Sequence, residues 1–135
     1  MTSSNNLPDL IRYNANLSPV EIRSNPDRYP RIKSFAYEEA VQRMTAIVWA
    51  AALYRNQELS DDKIRFIAGT LVGEILADTK YGMRNLSWEE IGLAVRAVVL
   101  GDGREMYGIS VASLYAALLD YVRGDGHEAD KRANQ

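Results

Sequence analysis

The chain has 135 residues, 47% of them apolar and 25% charged, a composition that excludes a disordered or fibrous chain and predicts one globular domain. A domain of this length buries roughly two-thirds of the surface its unfolded chain exposes, so it needs neither disulfide nor metal to fold. The absence of cysteine excludes a disulfide framework, a thiolate zinc site and a nucleophilic thiol, and a formal net charge of -2 argues against a surface devoted to neutralising phosphates.

The first residues, Met1 to Asn6, have neither the basic start nor the apolar core of a signal peptide, and no apolar run reaches the ~20 residues of a membrane span. The expected location is therefore the cytoplasm, without membrane contact. All four prolines fall in the first 30 residues and all nine glycines at or after Gly69. Residues 1–33 are thus predicted to form an extended arm with one short helix, because proline removes a backbone donor and biases its predecessor away from helix. That helix starts at Ser18, with Pro19 at its first position and Glu21 placed to complete a capping box, and Pro26 ends it. The arm carries five basic side chains (Arg12, Arg23, Arg28, Arg31, Lys33) against three acidic ones (Asp9, Glu21, Asp27).

From Ser34 the spacing becomes helical: Tyr37, Val41, Met44, Ile47, Val48, Ala51 and Tyr54 recur at threes and fours until about Asn56. Ser60 caps a second long helix whose Asp61 and Asp62 suit the positive end of the helix dipole, and Ile64, Ile67, Ala68, Leu71, Val72, Ile75 and Leu76 form its stripe. Gly69 and Gly73, four apart on that helix, read as a close helix contact. Ser87 with Glu90 is a capping box, and Leu86 with Ile91 a hydrophobic staple, at the head of a third helix that runs to Gly101. Ser110 caps a fourth, whose Val111, Leu114, Tyr115, Leu118, Leu119 and Val122 cover most of its circumference and place it centrally. Residues 124–135 contain no apolar side chain except alanines and are expected to be a disordered tail. The predicted architecture is all-α, a bundle of four principal helices over 34–123 with the Pro-containing arm before it and the tail behind it.

No catalytic residue, metal site or cofactor is expected. The single histidine, His127, lies in the tail, and Glu74 with Asp78, one helical turn apart, is the weakest reading, a magnesium site. Gly101, Gly103 and Gly108 follow a helix rather than a strand and lack the lysine of a P-loop. Tyr107-Gly108-Ile109-Ser110 before Leu114-Tyr115 reads either as the turn and recognition helix of a helix-turn-helix unit spanning 88–122, or as an inner bundle helix. No lysine or arginine lies between Arg104 and Arg123 to contact bases or phosphates, which favours the second. Arg96 is the one side chain of its helix that packing does not explain, with Glu89 and Asp120 as its candidate partners.

Leu86, Glu89-Glu90-Ile91, Ala94, Arg96, Gly101, Tyr107-Gly108-Ile109-Ser110, Leu114-Tyr115, Leu118 and Tyr121 together resemble small proteins encoded by bacterial prophages and integrative elements. The resemblance covers the block 86–121 and, more loosely, the helix from Ser60. It implies a replication-associated accessory factor of the helicase-loader kind, although Ala116-Ala117 replaces the bulkier, more basic surface expected there. The expected function is a non-enzymatic protein-interaction module of a mobile genetic element, contacting a replication protein through Arg96, Tyr107 and Tyr115. The alternative is a DNA-binding protein that sets Arg23, Arg28, Arg31 and Lys33 on phosphates beside the Ser110 helix. The breadth of apolar cover on the first and fourth helices also points to homo-oligomerisation.

Overall fold

The computed structural model describes residues 17–100 and 108–134, and the described chain is mostly helical, with no strand among those residues. Helix α1 (Pro19–Arg23) begins as its sequence requires: Ser18 Oγ accepts from Glu21 N at 3.1 Å and proline occupies the first turn. It ends where Ser24 and Asn25 turn their side chains back onto the carbonyls of Val20 and Glu21. The chain then reaches a one-turn 3-10 helix at Ile32–Ser34, preceded by an isolated antiparallel bridge between Arg31 and Ser87 in which Ile32 N donates to Leu86 O at 2.7 Å. Residues 17–33 hold the short helix expected of them, but they lie against the domain. Ile22 and Ile32 are fully buried and Tyr29 nearly so.

Four longer helices follow: α2 (Tyr37–Tyr54), α3 (Asp61–Ala77), α4 (Trp88–Val99) and α5 (Val111–Tyr121). The serine caps at 60, 87 and 110 all accept the backbone N–H three residues on, and Glu90 completes the box at Ser87. Helix α2 packs on α3 and α4, and α5 packs on α4 and α3, so the four share one core. Met44, Ile47, Leu71, Ile75, Ile91, Leu114 and Leu118 lie at its centre with at most 1% exposure. Phe35 meets Trp88 edge to face, ring centres 6.0 Å apart, and seals the end of the core beside the bridge.

Between α3 and α4 the chain turns on Asp78, whose carboxylate accepts from the backbone N–H groups of Lys80, Tyr81 and Met83, and on Gly82, which takes the left-handed conformation at φ 77. Burial alone would raise the Asp78 carboxyl, but hydrogen bonds from Met83, Lys80, Tyr81 and Gly82 outweigh it and hold the group below its ordinary value.

After Tyr121 the structure departs from the sequence expectation. A π-helical turn (Val122–Gly126) leads into α6 (His127–Ala133), where a disordered tail was expected. The reason is the size of the contacts. Gly126 and Ala129 are buried against Tyr121 and α1, so small side chains suffice where composition alone finds nothing apolar enough to bury. A Cβ at Gly126 would lie 3.1 Å from Tyr121 Cε2 and 3.1 Å from its carbonyl oxygen.

Gly69 and Gly73 are not a close helix contact with described residues. A Cβ at Gly69 would meet Tyr37 Oη at an ordinary 3.7 Å, and one at Gly73 would meet nothing within 4 Å among the described residues. The third helix ends at Val99 with Leu100 as its cap, and the loop glycines Gly101 and Gly103 and Tyr107 lie outside the described residues, as do residues 1–16 with Arg12.

Candidate partner-binding cleft

Helix α4 carries two faces. Ile91, Ala94, Val95 and Val98 turn inward, while Leu93, Arg96, Ala97 and Leu100, three and four apart, form the flank beside α5. Helix α5 answers with Ala117, Asp120 and Tyr121 at the same spacing, and the two flanks bound an open cleft of about 710 Å³. Its hollow follows from the sequence: Ala94, Ala97, Ala117 and Gly124 stand where longer side chains would fill the space. Leu17 and Pro19 also line it. Its lining is mixed: apolar side chains of α4 and α5 stand beside the charged Arg96, Asp120 and Asp125.

Tyr121, which lines the cleft, belongs to a buried polar network centred on Glu90. Glu90 is fully buried, and its Oε2 accepts from Arg23 Nε at 2.7 Å and from the Tyr121 hydroxyl at 2.8 Å, while Oε1 accepts from Ser87 N at 3.3 Å. Arg23 extends the chain of charges to Asp130 on α6, Nη1 to Oδ1 3.6 Å. Burial first, then the adjacent Glu90 carboxylate, pushes the Tyr121 phenol well above its ordinary value, so it stays a neutral donor. Every oxygen of Glu90 is thereby committed to a structural partner, and the network joins α1, α4, α5 and α6 around one carboxylate.

Of the residues singled out from the sequence for partner contact, Arg96 lines the cleft, half-buried, and makes no ion pair with Glu89 or Asp120 within 4.0 Å among the described residues. Tyr115 is half-buried on another flank of α5 and does not line the cleft; burial, then the nearby Asp78, Tyr81 and Glu74, raises its phenol while Arg123 opposes them. Tyr107 lies outside the described residues.

The four basic residues of the arm do not form one row. Arg23 is committed to Glu90, and Arg31 donates to the carbonyls of Tyr29 and Arg23, at 3.1 and 3.4 Å. Arg28, 5.6 Å from the Tyr29 ring centre, and Lys33 are exposed. On α5, Ala112 and Asp120 face solvent and no basic side chain does. Asp78 spends its oxygens on the turn that follows α3, and the described residues contain no group of three or more metal-ligating side chains.

Two features escaped the sequence reading. Arg23 looked like a phosphate contact because an isolated arginine in a proline-rich segment has no visible partner, and Glu90, 67 residues away, is the partner. Phe66 is 67% exposed on α3, and Tyr37, half-exposed at the start of α2, donates its hydroxyl to Gly69 O at 3.3 Å. Compared with protein-family models, with curated proteins and with solved structures, the chain matches none. No helix among the described residues is long and apolar enough to cross a membrane.

Proposed function

We propose that the chain is a non-enzymatic interaction module, built on a four-helix bundle, whose α4–α5 cleft receives an apolar helix of a protein partner. The observation that carries this reading is the cleft itself: a hollow between α4 and α5 lined by small and apolar side chains together with Arg96, Asp120 and Asp125. Such a groove fits the helix-in-groove mode, in which side chains at i, i+3 and i+4 fill the floor and flanking charges set register. The resemblance of the block 86–121 to prophage and integrative-element proteins supplies the partner class, a replication protein acting in the cytoplasm.

Affinity capture at low salt from cells carrying the element tests the reading, with the intact chain and with Ala97→Glu as baits. Recovery of a replication protein by the intact chain, lost with Ala97→Glu, is the expected result. Failure to recover one, or equal recovery by both baits, contradicts it.

The DNA-binding alternative rests on Arg28 and Lys33, the exposed members of the basic set. Its test is anisotropy of labelled single- and double-stranded DNA with the intact chain and with Arg28→Glu/Lys33→Glu. Salt-sensitive binding that the double variant loses would favour DNA over a protein partner.

A further inference from the structure

Helix α3 buries Ile64, Leu71 and Ile75, and its opposite face carries Asp62, Phe66, Gly69, Thr70, Gly73 and Ala77. The outer face of a surface helix ordinarily takes charged and polar side chains. Here a charge stands only at the first of these positions. From Phe66 to Ala77, about 17 Å of helix, the face holds an aromatic ring, a hydroxyl and three small residues. Phe66 is 67% exposed, and a Cβ at Gly73, two turns further on, would meet nothing within 4 Å among the described residues.

A knob and a socket on the same face make that face complementary to itself. When the α3 of a second copy lies antiparallel across it, with the twofold axis between Gly69 and Thr70, Phe66 of each chain comes level with Gly73 of the other. Both lie about 5 Å from the axis along the helix. The missing side chain at Gly73 leaves room for the ring, and ridges can then settle into grooves at close range. Tyr37, whose hydroxyl reaches Gly69 O at 3.3 Å, borders the face beside the axis.

The charges set the direction. Lys63 and Glu74 lie on the same flank of the face, and an antiparallel twofold brings like flanks together, so Lys63 of each chain meets Glu74 of the other. Along the helix the two are offset by only about 3 Å. Neither makes an ion pair within 4.0 Å among the described residues of its own chain. A parallel pairing brings opposite flanks together and would set Lys63 against Arg65 of the second copy, a repulsive contact.

We propose that the outer face of α3 is a self-association surface, on which a second copy of this chain packs antiparallel with Phe66 seated over Gly73 and Lys63 paired with Glu74. The face is small beside a standard protein interface, so the dimer is weak and reversible. None of its residues lines the α4–α5 cleft, and the inference does not depend on the reading of that cleft.

Sedimentation equilibrium of the full chain, at low salt and from low micromolar to near-millimolar concentration, tests it. A monomer–dimer equilibrium is expected. Gly73→Leu fills the socket where the folded chain has space, and it should abolish the dimer with the thermal melt of the dilute protein kept. Lys63→Glu and Glu74→Lys should each weaken association roughly tenfold, because two attractive pairs become two repulsive ones. An equimolar mixture of those two variants should associate as tightly as the parent chain, since every pair across the mixed dimer is again of opposite sign. A monomer at all concentrations would overturn the proposal. So would a dimer that keeps its affinity in Gly73→Leu, or a mixture of the charge variants that associates no more tightly than each alone.

Discussion

Glu90 carries its charge where no water reaches it, so the side chains around it must supply what solvent would. Arg23 neutralises it and Tyr121 donates to the same oxygen, which makes the carboxylate the joint between the N-terminal segment and the end of α5. Breaking a buried pair from one side strands the other charge. Glu90→Gln should therefore cost on the order of 3 kcal/mol in urea unfolding, the lower end for such pairs because Arg23 also reaches Asp130 near the surface. Adding Arg23→Met to Glu90→Gln should recover part of that loss, and no recovery would mean that the pair is not the source of the cost.

Tyr121 gives a second handle on the same network. Its phenol is raised in the folded chain, so its contribution is complete below the ordinary tyrosine value of 10.0 and is lost as pH climbs above it, where the unfolded chain ionises first. Tyr121→Phe should make the fall of stability above pH 10 shallower; an unchanged slope would contradict the buried donor. Little of this was legible beforehand. Ser87 and Glu90 announce a cap, but nothing local says that the far oxygen of the cap is bonded to residues 23 and 121.

At the scale of elements, the starts of helices were the most legible features, because a cap is a contact between residues three apart. Ser18, Ser60, Ser87 and Ser110 all cap, and at Ser110 the reciprocal bond comes from Ser113, which also donates to Gly108 O at 2.7 Å. Gln57 shows what local reading misses: its side chain accepts from Ile109 N at 2.9 Å and pins the head of α5 from the loop after α2. Helix α6 was missed because composition measures apolar content, whereas what is buried there is a glycine fitted against the Tyr121 ring and a single alanine on a helix packed against α1. The glycines make this testable. Gly73→Ala should stabilise the protein by about 1 kcal/mol, since α3 gains helix propensity and the new methyl meets no described atom. Gly126→Ala adds the same methyl against Tyr121 and should destabilise by about 1–3 kcal/mol. Thermal melts of the two variants moving in the same direction would show that these environments are misread.

For the molecule as a whole, the all-helical class and the four longer helices were readable from periodicity, while the boundary drawn at residue 33 separates segments that pack together. Ile22 and Ile32 are fully buried and Arg23 neutralises Glu90, so removing residues 1–33 takes away part of the core along with the arm. That deletion should lower the melting temperature steeply or prevent folding, and a cooperative melt at the intact chain's temperature would show the segment to be dispensable. The cleft was half legible. Arg96 stood out as unexplained by packing, but the hollow beside it exists because alanines on α4 and α5 face one another, and facing is a property of the pair of helices.

The central claim is that a heterologous partner engages this hollow rather than the exposed Phe66 on α3. A photo-crosslinking amino acid placed at Ala97, and separately at Phe66, tests it most directly in cells that express the chain. Adducts to a replication protein from position 97 and none from position 66 are the predicted result; adducts from position 66 alone, or equally from both, would contradict it.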